Sequence, residues 1–148
     1  MARSKLEPRG RGAEEPRGGV SSAQKVPLIL VVDDQEHMCW VLRKVLSEAG
    51  YTVQTARNGK EALRVCADGE VVAAIIDYRL PDMNGIELFR QANGTGRPMA
   101  GILITSYGSP KLRGEALDAG FLAYFDKPLS HKQLLECLDK TIPSEPLP

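Results

Sequence analysis

Val71-Val72-Ala73-Ala74-Ile75-Ile76-Asp77, followed at once by Tyr78-Arg79-Leu80-Pro81-Asp82-Met83-Asn84-Gly85, is the stretch from which the fold can be read. An unbroken run of small or β-branched apolar residues, closed by a turn rich in Pro, Asp, Asn and Gly, has the pattern of a strand buried on both faces, as in a parallel sheet. An Asp at the C-terminal end of such a strand lies on the rim where open α/β sheets hold ligands. Taken alone, such an Asp need only begin a turn. Three more apolar runs end in the same way, however: Leu28-Ile29-Leu30-Val31-Val32 runs into Asp33-Asp34, Gly101-Ile102-Leu103-Ile104 into Thr105-Ser106, and Phe121-Leu122-Ala123-Tyr124-Phe125 into Asp126-Lys127-Pro128. Parallel strands place all their C-terminal ends on one edge. Asp33, Asp34, Asp77, Thr105 and Lys127 are therefore expected to converge although they are far apart in the chain.

Helical patterns fill the gaps. Met38, Val41, Leu42, Val45, Leu46 and Ala49 make one apolar stripe, which Gly50 ends. Tyr51–Thr55 reads as a short second strand. Asn58 with Glu61 and Asn84 with Glu87 mark helix starts, the latter with Met83 and Leu88 at staple positions. Ser109-Pro110 is an N-cap followed by Pro, and Ser130 with Gln133 forms a capping box flanked by Leu129 and Leu134. Leu134, Leu135, Leu138 and Ile142 form the last buried stripe. Strand and helix alternate throughout, which predicts an α/β fold: a (βα)5 doubly wound parallel sheet with strand order 2-1-3-4-5. The order reverses between the first and third strands, which carry Asp33, Asp34 and Asp77.

At 148 residues the chain suits one domain with a full core. Residues 1–26 are rich in Gly, Pro, Arg, Ser and Glu, and are expected to be a disordered N-terminal extension. The domain is expected over 27–141, with a Pro-rich tail over 142–148. Lys plus Arg balances Asp plus Glu at 19 each, so no overall basic field favours nucleic acid. The lack of a long apolar run argues against a membrane span, and the lack of a signal-type apolar core argues for a cytoplasmic protein. Cys39, Cys66 and Cys137 have no metal-type spacing and read as free, mostly packed thiols.

Three carboxylates brought together repel one another and call for a cation. Hard oxygen ligands with an open face suit Mg²⁺, which uses few carboxylates and bridges to phosphate; no loop supplies the dense ligand spacing that Ca²⁺ prefers. Lys127 adds a point charge and Thr105 a hydroxyl. A cation, an ammonium and a hydroxyl around one Asp describe in-line phosphoryl transfer to a carboxylate.

Asp33-Asp34, the Asp77…Pro81-Asp82-Met83-Asn84-Gly85 turn, Thr105-Ser106-Tyr107-Gly108 and Asp126-Lys127-Pro128-Leu129, in this order and spacing, resemble the receiver domain of bacterial two-component response regulators. The resemblance covers roughly 27–141. It implies a chemotaxis-protein-like (flavodoxin-like) fold that takes a phosphoryl group from a sensor kinase's phosphohistidine onto an Asp with Mg²⁺ present. It further implies Asp77 as the phosphoacceptor, with Asp34 and Asp77 as Mg²⁺ ligands, Asp33 acting through water and the Arg79 backbone carbonyl completing the set. Thr105 is then the hydroxyl that contacts the phosphoryl group and relays its presence, Lys127 binds phosphate oxygens, and Tyr124 is the aromatic switch. Ser106 stands where the family usually has Ala, and both leave room for the phosphoryl group. The Lys127–Pro128 bond is expected to be cis. Arg79 and Tyr107 occupy the positions that flank the phosphoryl group and tune its hydrolysis in this family.

Trp40 falls opposite the apolar stripe of its own helix and is expected to be exposed. The resemblance makes that helix the surface for the kinase's histidine-bearing helices, so Trp40 is a candidate partner contact. His37 and His131 lie at helix starts and read as surface or capping residues. The implied partners are a sensor histidine kinase or histidine phosphotransfer protein and a downstream protein target, with no nucleic acid or membrane contact by this domain. The signal is expected to pass through the face of the fourth helix, fifth strand and fifth helix, in a monomer or a phosphorylation-dependent dimer. Three alternatives remain at this level. One is the receiver piece of a longer regulator, and another is a receiver-like module that binds without being phosphorylated. The third is a dehalogenase-like phosphatase, which needs a second acid where this chain has Arg79. A nucleotide site is disfavoured, because no Gly-rich phosphate loop follows the first strand.

Overall fold

The computed structural model describes residues 27–68, 70–94 and 98–142. Strand and helix alternate through them: β1 (Leu28–Val32), α1 (Glu36–Glu48), β2 (Thr52–Ala56), α2 (Gly59–Asp68), β3 (Val71–Asp77), α3 (Gly85–Gly94), β4 (Ala100–Thr105), α4 (Pro110–Asp118), β5 (Ala123–Asp126) and α5 (His131–Thr141). The extension expected over 1–26 and the tail beyond Ile142 lie outside the described residues. The strands pair in parallel in the order β2-β1-β3-β4-β5, as expected.

The strand runs are continuous because both faces of the sheet are covered. Ile29, Val31, Ala73, Ile75, Ile102 and Ile104 point to one side, where Cys39, Leu42 and Leu46 of α1 and Leu134 and Leu138 of α5 seal them. Leu30, Val32, Ala74, Ile76 and Leu103 point to the other, against α2, α3 and α4. β2 lies at the edge, and its Thr52 and Gln54 are exposed while Ala56 is buried.

Two expectations about the strands are corrected. Val72 is exposed: β1 pairs Leu28 with Val71 and then Ile29 with Ala73, so Val72 is passed over in the register. The fifth strand begins at Ala123 rather than Phe121. Pairing with β4 starts at Ile102↔Ala123, while Phe121 is buried and stacks on Phe89 with ring centroids 4.2 Å apart. That stack sits over Gly101, where an added Cβ would come within 2.5 Å of Phe89.

Most helix starts carry the expected caps. The side chains of Asn58, Asn84, Ser109 and Ser130 accept hydrogen bonds from the backbone N–H groups of Glu61, Glu87, Leu112 and Gln133. The Glu61 carboxylate reaches back to the N–H of Arg57, one residue before the cap. In α1, Cys39 joins the buried stripe and Ala49 at the C-cap is exposed. Gly50 then takes φ +103°, which favours glycine at this helix end.

Candidate functional site

The sheet delivers three carboxylates to one point. One oxygen each from Asp33, Asp34 and Asp77 can be chosen so that all lie within 4.8 Å of one another. Asp33 and Asp77 are buried and Asp34 is exposed, which leaves the cluster open on one side. The parallel register is the cause. Val32 lies beside Ile76 in β1 and β3, so Asp33 and Asp77, the residue after each, end up side by side.

Lys127 enters from the far end of the site, after β5. Its Nζ lies 2.8 Å from Asp33 Oδ2 and 3.7 Å from Asp77 Oδ1, with 9% of its side chain exposed. The Lys127 backbone N–H donates to the Thr105 carbonyl, and the Lys127–Pro128 peptide bond is cis, as expected. Thr105 is fully buried at the end of β4, and its Oγ1 accepts the Tyr107 N–H at 3.0 Å. Ser106 is exposed next to it.

The Asp77 carboxyl is pushed up from 3.8 to about 6. Burial is the main cause and repulsion from Asp33 the second, with Asp34 adding to it; attraction to Lys127 and a hydrogen bond from the Arg79 backbone N–H work in the opposite direction. One ammonium does not balance three carboxylates. An all-oxygen, mostly carboxylate donor set with an open side and an excess of negative charge fits a hard divalent cation such as Mg²⁺.

Two of the sequence candidates stand away from this cluster. Tyr124 is half-buried, and its hydroxyl accepts the Ser109 N–H at 3.1 Å and lies 3.4 Å from Asp126 Oδ1, which ties it to the β4–α4 loop. Trp40 is 60% exposed on α1, as expected, with the His37 ring stacked on it and Lys44 Nζ 6.0 Å from its centre. Arg79 is exposed, and its guanidinium lies over the Tyr107 ring at 4.2 Å.

Three contributors were missed in the sequence. Gln35 donates its N–H to Asp33 Oδ1 at 2.9 Å and brings its Oε1 to 3.5 Å from Lys127 Nζ. The Arg57 guanidinium donates twice to the Asp34 backbone carbonyl, at 3.0 and 2.8 Å. Asp82, quoted above only as a turn residue, accepts the N–H groups of Gly59 and Lys60 at the start of α2. Gln35 could have been suspected from its place beside the acid pair. The other two reach across 22 or 23 positions, and no local pattern announces them.

The profile of the response regulator receiver domain family matches residues 29–139. The chain belongs to this family. A response regulator MprA of Mycobacterium tuberculosis strain H37Rv is 38% identical over 107 residues, 72% of this chain and 46% of that protein. The MprA of Mycobacterium sp. strain KMS is 36% identical over 121 residues, 79% of this chain and 53% of its own length. The receiver domain thus spans about half the length of these curated relatives. Among solved structures, a CheY-like receiver domain protein from Methanospirillum hungatei JF-1 superposes with a TM-score of 0.76 at 30% identity, over 82% of this chain and 97% of that one. A Burkholderia pseudomallei response regulator solved with a phosphorylated aspartic acid, a calcium ion and citrate gives 0.71 at 26% identity, over 76% and 66%. The receiver fold and its place in two-component signalling are therefore properties of this chain.

Proposed function

We propose that this receiver domain is a phosphorylation-controlled switch in which Asp77 accepts a phosphoryl group from a phosphohistidine of a sensor histidine kinase or histidine phosphotransfer protein. The observation that carries the reading is the convergence of Asp33, Asp34, Asp77 and Lys127 at one rim of the sheet. A carboxylate oxygen of Asp77 attacks phosphorus in line with the histidine nitrogen; the P–N bond breaks as the P–O bond forms, and imidazole leaves with the electron pair. Mg²⁺, held by Asp34, Asp77 and the Arg79 carbonyl with Asp33 acting through water, would supply charge neutralisation on the phosphoryl oxygens. Lys127, already beside Asp77, binds a phosphoryl oxygen as a point charge. Thr105 offers its hydroxyl hydrogen to another, since Oγ1 now serves only as acceptor to Tyr107. Ser106 leaves the approach open.

In the switched state Thr105 moves toward the phosphoryl group and Tyr124 exchanges its tie to Ser109 for an inward position. That repacks the face of α4, β5 and α5 against a downstream protein, in a monomer or a phosphorylation-dependent dimer. Trp40 on α1 serves as the contact for the phosphodonor protein. The domain over 27–141 works in the cytoplasm and touches neither nucleic acid nor membrane; among the described residues no helix is long and apolar enough to cross a membrane. The phosphorylated aspartic acid of the Burkholderia pseudomallei relative supports a carboxylate acceptor, and the calcium ion in the same structure is in keeping with a divalent cation. Arg79 and Tyr107, in contact with each other and taken from the family resemblance to flank the phosphoryl group, would narrow the approach of water, so the acyl phosphate should outlast that of fast-relaxing chemotaxis regulators; hydrolysis within seconds would contradict this.

Intact mass measurement after incubation with a small phosphodonor tests the reading. One added phosphoryl group is expected on the wild type with Mg²⁺, and none without Mg²⁺ or on Asp77→Asn. Donor turnover without any accumulated adduct would instead identify a hydrolase.

A further inference from the structure

The two loops that carry the acids are joined by the short connection between β2 and α2. On one side, the Asp33 N–H donates to the Ala56 carbonyl at 3.1 Å. One residue later, the Arg57 guanidinium closes on the Asp34 carbonyl with two hydrogen bonds, Nε at 3.0 Å and an Nη at 2.8 Å. Arg57 is itself held, because its N–H donates to the Glu61 carboxylate at 2.7 Å. On the other side, Asp82 lies at the tip of the turn that follows Asp77. That turn is closed at its base by the hydrogen bond from Gly85 N–H to the Tyr78 carbonyl, 2.7 Å, and by the bridge between Arg79 and Asn84. The two Asp82 oxygens take the N–H groups of Gly59 and Lys60 at 2.8 and 3.0 Å. Met83 lies so close over Gly59 that an added Cβ there would come within 2.5 Å of its sulfur. Residues 57–60 thus grip the loop after β1 with a side chain and the loop after β3 with a helix start.

We infer that the β2–α2 connection is a brace that sets the spacing of the two cation-binding loops, with Arg57 and Asp82 as positioning residues for a divalent cation. This rests on the reading that the Asp33, Asp34 and Asp77 cluster binds such a cation. A hard cation of the Mg²⁺ type tolerates little error in ligand position, and groups that only orient its ligands commonly matter to affinity by tenfold or more. Arg57 also allows a test by sign. It is exposed and cationic, so if its charge were all that mattered, removing it would tighten the binding of Mg²⁺. If its grip on the Asp34 carbonyl matters more, removing it weakens binding.

The experiment is Mg²⁺ titration calorimetry on the full chain, for wild type, Arg57→Met, Arg57→Lys, Asp82→Ala and Asp34→Asn, paired with amide hydrogen exchange of each metal-free protein. Arg57→Met is expected to raise the Kd for Mg²⁺ about tenfold, the lower end of the range for lost orienting partners. Arg57→Lys, which keeps the charge but not the two-donor grip, should fall between it and wild type, and Asp82→Ala should weaken binding severalfold. Exchange should quicken at residues 34–36 in the Arg57 variants and at 79–84 in Asp82→Ala, with the strand amides protected as in wild type. A wild type that binds Mg²⁺, an Asp34→Asn that does not, and an Arg57→Met that binds as tightly as wild type or more tightly would overturn the brace while leaving the cation reading intact. A wild type that takes up no Mg²⁺ would overturn the cation reading, and the brace with it.

Discussion

Burial and the neighbouring Asp33 push the Asp77 carboxyl up to about 6 from 3.8, so the folded protein holds a proton there more tightly than the unfolded chain does. Between those two values the native state binds more protons, and the contribution of this group to stability falls as pH rises. At neutral pH the charged carboxylate works against folding by up to about 3 kcal/mol, which is two pKa units at roughly 1.4 kcal/mol each. Asp77→Asn in the presence of a chelator should therefore be more stable than wild type at pH 7, with the difference vanishing near pH 4. Urea unfolding of both proteins across that range checks it. Added Mg²⁺ should raise the melting temperature of wild type and leave Asp77→Asn nearly unmoved. An energetic cost concentrated at one carboxylate is what the proposed role of Asp77 in chemistry, rather than in packing, leads one to expect.

At the scale of the elements, the sequence was most legible where physics is local. Asn58, Asn84, Ser109 and Ser130 cap the helices they were expected to cap, because a side chain that satisfies N–H groups two or three positions on needs nothing from the rest of the fold. The ends of strands were legible at the acid rim and less so elsewhere. The run from Phe121 to Phe125 is apolar throughout, and only the register against β4 decides that pairing begins at Ala123. Phe121 instead fills the space over Gly101 together with Phe89, a contact between three elements that no periodicity encodes. Gly101→Ala should therefore be destabilising by about 1–3 kcal/mol, the usual cost of overfilling a packed core. Denaturant unfolding will show it, and an unchanged midpoint would mean that the two rings can part without loss. Val72 escaped notice for the same reason, since a skipped pairing partner leaves no trace in composition. The reach of Arg57 and Asp82 across the site was equally invisible, because two of the partners, Asp34 and Gly59, are joined to them only by the folded sheet.

For the whole molecule, the proposed chemistry and the proposed recognition fall at separate places. The acid rim lies at the C-terminal ends of the strands, while Trp40 stands 60% exposed on the outside of α1. Trp40→Ala should shift stability by no more than about 0.5 kcal/mol, as for other exposed positions, and should leave labelling by a small phosphodonor unchanged. Transfer from a phosphohistidine protein should slow several-fold or more. The comparison of those two rates checks whether the tryptophan belongs to the docking surface. The family and the strand order could be read from four strand ends because a parallel sheet carries the fold and the site in the same residues. The identity of the phosphodonor and of the target protein was not legible, since each depends on a complementary surface in another chain.

The most direct measurement is where the phosphoryl group goes. Treating the Mg²⁺-loaded protein with a small phosphodonor, trapping acyl phosphates by borohydride reduction, and mapping the peptides should reveal a single reduced residue, Asp77, and none in Asp77→Asn. A tag on Asp33, on Asp34 or on a residue outside the cluster, or an unmodified protein with Mg²⁺ demonstrably bound, would contradict the account.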